Sequence, residues 1–148
     1  MTNRPDDEAV AGDADKSALI AVLNELLEAE RAGARVTLES ARAVGSGPIA
    51  ALLQTIQRDE ARWCAMLLRH IKALGGTPSP KVGSFYDKAM AIADIGERIV
   101  FLNRGQGWVV RKLREALPRL RDDQLHADFS EMLRSHDVNI ALANEVTG

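Results

Sequence analysis

The stretch Leu23-Asn24-Glu25-Leu26-Leu27-Glu28-Ala29-Glu30 spaces its apolar residues for a helix, then sets a carboxylate where the next apolar residue belongs. An α-helix turns by about 100° per residue. On that geometry Leu19, Leu23, Leu26, Ala34, Thr37 and Ala41 form one stripe, with Glu30 at its centre. Two more segments repeat the arrangement. Glu60 lies within the stripe Ile49, Leu53, Ile56, Cys64, Leu67 and Ile71, and His136 within Leu125, Phe129, Met132, Leu133, Ile140 and Ala143. Burying a carboxylate costs several kcal/mol unless a cation or hydrogen-bond donors compensate it. Three such groups converging on one core point to a site.

The flanking signals delimit four helices. Residues 1–16 are polar, acidic and aperiodic, which predicts a solvated, disordered tail. Ser17 is the expected N-cap of a first helix reaching about Val44. Gly45-Ser46-Gly47 ends it, and Pro48 suits the first position of a second helix that stops at Gly75-Gly76. After the connection Thr77–Gly83, a third helix is expected from near Ser84 to Leu117, with a kink around Asn103–Gly107 where glycines weaken it. Asp122 or Asp123 should cap the fourth, which continues to about Val146. No strand-like alternation and no tandem repeat occurs.

The expected fold is therefore all-α, an antiparallel four-helix bundle over residues 17–148. The connection from Gly75 to Ser84 can span roughly 33 Å when extended. A crossover along the bundle is thus allowed, though not required. Glu30 precedes Ser46 by 16 residues and Glu60 follows it by 14. In an antiparallel pair those positions lie at nearly one height, and His136 sits near the middle of its own helix.

Composition narrows the function classes. The 148 residues carry a formal net charge of -2, so no basic excess points to nucleic acid or an anionic membrane surface. Cys64 is the only cysteine, which rules out an internal disulfide and suits a reducing compartment. No run approaches the ~18 apolar residues of a membrane span. The opening Met1–Glu8 lacks a signal-peptide pattern, so a cytoplasmic location is the expectation.

Inward glutamates at mid-height, joined by a histidine from another helix, resemble the ferritin-like superfamily of di-iron carboxylate proteins, the bacterioferritins and rubrerythrins among them. Leu23–Glu30 is similar to the opening of the bacterioferritin first helix, whose last glutamate is a metal ligand. Asp59-Glu60-Ala61-Arg62-Trp63 and Leu133-Arg134-Ser135-His136 fall where that family carries its two Glu-x-x-His motifs. The resemblance implies a ferritin-like bundle and metal in its core. Two departures stand out: Trp63 replaces the helix-two histidine, and Leu133 replaces the helix-four glutamate. On helix three, Glu97 points away from the stripe Ile92, Ile95, Ile99, Leu102, Val109 and Leu113, whereas Gln106 lies within it. Gln106 is the preferred replacement for the family glutamate, and Glu97 enters only if the glycines rotate it inward.

Two carboxylates and an imidazole with open positions suit one divalent iron or manganese ion. The expectation is one such metal on Glu30, Glu60 and His136, with a redox role implied by the family alone. The alternative is a metal-free polar network in a dimeric structural or interaction module, with no cofactor at all. Met90, Phe101 and Trp108 form a second apolar face on helix three, which predicts cover by another chain as a homodimer.

Overall fold

The computed structural model describes the backbone of residues 5–147 and the side chains of residues 15–147. Among the described residues the chain is all-helical: α1 (Pro5–Val44), α2 (Pro48–Ala73), α3 (Phe85–Met90), α4 (Ile95–Ala116), a single 3-10 turn at Leu117–Arg119, and α5 (Asp123–Thr147). The α1–α2 turn uses Gly45 and Gly47 at φ 87° and 98°, a region glycine enters without steric cost, and Pro48 then starts α2. At its far end α2 closes with paired bonds, Gly76 N–H to the Ile71 carbonyl and Gly75 N–H to that of Lys72, both 2.9 Å. A β-carbon on Gly76 would lie 2.8 Å from the Ile20 side chain, so this end of α2 packs directly on α1.

The connection after α2 runs back along α1. Asn24 clasps it first, accepting from Ser79 N–H at 2.7 Å and donating to the Thr77 carbonyl at 3.1 Å. Ser79 donates to Glu28 at 2.7 Å, and Arg31 donates to the carbonyls of Ser79 and Lys81 at 2.8 and 2.6 Å. Farther along, the Tyr86 hydroxyl donates to Glu39. Arg98 donates to Ser40 at 3.0 Å, which places the start of α4 beside the end of α1. From there α4 descends until Lys112 reaches Glu25 at 3.5 Å, and α5 returns, with Asp128 at His70 and Asn139 at Asp59. The crossover that chain length allows is the path taken. Helices α1 and α5 run one way, α2 and α4 the other, and each long helix touches two oppositely directed neighbours.

Two expectations need correction. The third helix is two helices: it breaks between Met90 and Ile95, not at Asn103–Gly107. Asp94 caps α4 by accepting from Glu97 N–H at 2.9 Å, and the Arg98 guanidinium takes up the Ile92 carbonyl. Gly105 does not kink α4; it makes room for Phe85, whose ring lies 2.8 Å from where a β-carbon would stand and stacks on Phe101 at 4.8 Å. The break sets α3 beside α4. Met90 and Phe101 pack with Phe85 and Tyr86 against one core cluster, while Trp108 packs against the other. Lastly, α1 begins at Pro5 and absorbs residues 5–16 of the expected tail, while residues 1–4 lie outside the described residues. Pro5 followed by Asp6-Asp7-Glu8 is a helix-start pattern that acidity alone obscures.

The core is two apolar clusters. One gathers Leu23, Leu27, Trp63, Leu67, Leu113 and Phe129, the other Val36, Leu53, Ile56, Ile99, Leu102 and Ala143. Between them every long helix contributes a buried polar residue: Glu30, Glu60, Gln106, and His136 with Asn139. Arg31 ties the crossover to α1 through two charge-assisted bonds, so Arg31→Ala should lower unfolding free energy by about 2 kcal/mol. Chemical denaturation checks this, and a change within error would mean the crossover is held by apolar packing instead.

Candidate metal centre

Helix α1 presents Glu30 inward, α2 presents Glu60 and α5 presents His136, each at most 4% exposed. One ligand atom from each lies within 4.8 Å of the others. His136 Nδ1–H donates to the Met132 carbonyl at 2.9 Å, one turn back on its own helix. That bond fixes the tautomer and turns Nε2 toward the glutamates. A histidine that donates one ring N–H to a backbone carbonyl and offers the other nitrogen is the usual arrangement of a metal-binding imidazole. Glu30 Oε1 stands 2.6 Å from Nε2, a charge contact that is not aligned as a hydrogen bond.

Several buried polar atoms in the layer lack a hydrogen-bond partner: both Glu30 oxygens, Glu60 Oε2, Gln106 Oε1 and His136 Nε2. The oxygens can act as acceptors, and so can Nε2 while the imidazole is neutral; protonated, it pairs with Glu30 Oε1 at 2.6 Å. An unmet buried polar atom costs about 1–3 kcal/mol. Gly33 explains how Glu60 gets so close to α1. A β-carbon there would collide with the Glu60 carboxylate, 2.6 Å from Oε1 and 2.7 Å from the carboxyl carbon. Sequence periodicity gave no hint of this, because a glycine at that position reads only as a small helical residue.

Gln106 is 2% exposed and oriented by its neighbours. Asn103 spends both amide hydrogens, on the Ile140 carbonyl at 3.2 Å and on Asn144 at 3.1 Å. Its oxygen therefore accepts from Gln106 Nε2 at 3.2 Å, which leaves Gln106 Oε1 free. Glu97 is on the surface, its backbone engaged by the α4 cap, and takes no part. Asn139, one turn beyond His136, donates to Asp59 at 2.9 Å, and Ser135 donates to the same oxygen at 3.3 Å. Those bonds lock α5 against α2 beside the site. Asn139 shares the face of His136, so its spacing could have revealed it; Asp59 carried no such signal.

Burial, then the charges of Glu30 and Asp59, hold the Glu60 carboxyl well above its ordinary 4.5. For His136 burial works downward, but the charge of Glu30 and the Met132 carbonyl outweigh it, and the net direction is above 6.5. Cys64, next to these carboxylates, is pushed up to about 12 by burial and by Glu30 and Glu60, so it stays a thiol. A cavity of about 390 Å³ between α1, α4 and the Val82–Phe85 segment reaches Glu30, Glu60 and Gln106. His136 is not among the residues lining it. Trp63, where the resemblance puts a histidine, is buried in the apolar cluster on one side of the layer.

Residues 17–145 match the Domain of unknown function DUF6306, a span that holds every residue of this layer. The chain belongs to that family. No curated protein and no solved structure matches it. No described helix of this DUF6306 chain is long and apolar enough to cross a membrane.

Both Glu60 and His136 are raised in the folded state, so in each window the folded chain holds a proton that the unfolded chain has released. Their stabilisation is complete below the ordinary values of 4.5 and 6.5 and is lost as pH rises toward the folded ones. Glu60→Gln, which mimics the neutral acid, should gain stability relative to the metal-free wild type between roughly pH 5 and 8. Denaturation in EDTA across that range measures the difference. A wild type that gains on the variant with rising pH would mean the carboxyl is not held neutral.

Proposed function

We propose that this chain is a ferritin-like bundle that binds one divalent, redox-capable metal, iron or manganese, through Glu30, Glu60 and His136. The observation that carries this reading is the burial of two carboxylates and one imidazole with ligand atoms within 4.8 Å of one another. A cation is what such a set lacks. The donor chemistry agrees, since carboxylate oxygens with one imidazole suit iron and manganese better than thiolate-seeking ions. Charge agrees as well. With His136 protonated against the Glu30 carboxylate and Glu60 neutral, the layer carries no net charge; exchanging two protons for a divalent ion leaves that unchanged. Gln106 Oε1 is a further neutral oxygen on the cavity side. The crossover and the antiparallel pairing support the ferritin-like reading, as does the common height of the polar residues on the long helices. A metal held here would supply redox or Lewis-acid chemistry where the layer meets the cavity.

Elemental analysis of protein purified without a histidine tag tests the proposal. Iron or manganese near one per chain is expected, and Glu60→Ala should abolish it and lower the melting temperature, because bound ligand stabilises the native state. A wild type that stays metal-free when offered either ion, with Glu60→Gln fully tolerated, would establish instead the polar network that merely fixes helix register.

The ferritin-like register is tested separately. Residues three apart share a helix face. Trp63→His with Leu133→Glu therefore places a second ligand beside Glu60 and another beside His136, and Gln106→Glu adds one from α4. The triple variant should bind more iron per chain than the wild type. A folded variant with no added metal would show that α2 and α5 do not present these positions to the site.

A further inference from the structure

The cavity beside the polar layer has features that metal binding does not use. We infer that it is a binding site for a small organic molecule with an apolar, ring-sized body and one hydrogen-bond-donating head, an alcohol or an amine, seated against Gln106 Oε1. Its volume, about 390 Å³, falls in the range of small-molecule sites, roughly 300–1,000 Å³. The walls are apolar: Ala29 from α1, Val82 and Phe85 from the crossover side, Phe101, Trp108 and Val109 from α4. Polar groups are confined to the inner end and to Glu28, Ser84 and Arg104.

The inner end decides the head group. The relay from Asn144 and Ile140 through Asn103 orients the Gln106 amide so that its oxygen is unpartnered. Glu30 and Glu60 are the other polar groups there, and they too present oxygens. At the inner end a carboxylate head would be repelled by the Glu30 carboxylate and leave Gln106 Oε1 without a donor, whereas a hydroxyl or amine would satisfy Gln106. The body is set by the wall. Phe85 stacks on Phe101 with an interplanar angle of 12°, and this flat pair is seated by the missing side chain of Gly105. The site stands on the cavity and Gln106 and does not require the metal.

Benzyl alcohol, benzylamine and benzoate are suitable probes, titrated into the isotope-labelled full chain as purified and again after EDTA. Saturable amide shifts at Ala29, Gly33, Gly105 and Gln106 are expected with the alcohol or the amine, with and without EDTA, and not with benzoate. Which of the two binds tighter identifies the head. Ala29→Leu, which fills the cavity, should abolish the shifts. Gln106→Leu should weaken binding by about tenfold, the worth of one buried hydrogen bond. The proposal is overturned if neither probe saturates, if benzoate binds equally well, or if Ala29→Leu changes nothing. Binding that vanishes with EDTA also overturns it, since the head would then be held by metal. Failure of the metal reading alone, seen in elemental analysis, leaves these shifts in place.

Discussion

Two carboxylates and an imidazole held together at the dry centre of a small helical protein are the constraint that organises this molecule. Glu30, Glu60 and His136 are each almost fully shielded from water. Each orphaned acceptor among them costs about 1–3 kcal/mol. Several together approach the whole net stability of a domain this size, about 5–15 kcal/mol. A chain that tolerates such a layer must offset it, by protons on Glu60 and His136 or by a cation. Burial of Glu60, and the Glu30 charge acting on both groups, favour the proton solution in the metal-free state. The same lone pairs would serve a metal. Both solutions need the three side chains at one height, so the polar layer sets helix register, and sliding any one long helix would strand a charge against hydrocarbon.

The long crossover follows from the same constraint. To bring α4 down beside α1 with Gln106 at the height of Glu30, the chain must first climb back past Asn24, Glu28 and Arg31. Side chains of α1 hold that climb through backbone carbonyls and amides, which would otherwise lie unpaired along a helix surface. The climb also leaves a gap. Val82–Phe85 stands off from α4 far enough to leave the cavity, and Gly105 lets Phe85 settle against the helix instead of filling it.

Much of this was legible in sequence because helical periodicity encodes direction and turn position encodes depth. Glu30, Glu60, His136 and Gln106 each interrupt an apolar stripe; the distances of Glu30 and Glu60 from the break at Gly45–Gly47, and the place of His136 within its own helix, put those three near mid-height. What periodicity cannot show is contact between segments distant in sequence. The bonds from Asn24 and Arg31 to the crossover join residues 48 to 55 positions apart. The break before α4 depended on Asp94, one aspartate among many, and on Arg98 reaching back to a carbonyl. Gly33 was invisible for a related reason: its role lies in what another helix places over it. The glycines of α4 misled in the opposite direction, since Gly105 serves ring packing within an unbroken helix.

Asymmetry around the layer says how a cation or ligand would arrive. Trp63 and Leu133, at the positions where the resemblance puts further ligands, pack into the apolar cluster and offer no metal-ligating atom. His136 is held behind, its ring anchored to Met132, and does not line the cavity. Glu30, Glu60 and Gln106 do line it. The oxygens therefore face the entrance and the nitrogen faces the core. An ion entering between α1 and α4 would meet the carboxylates first and the imidazole last, once its proton can leave. With indole volume on one side and an open cavity on the other, the layer has one accessible face. That arrangement suits a single metal with a neighbouring organic ligand better than the two-metal site from which the sequence pattern departs.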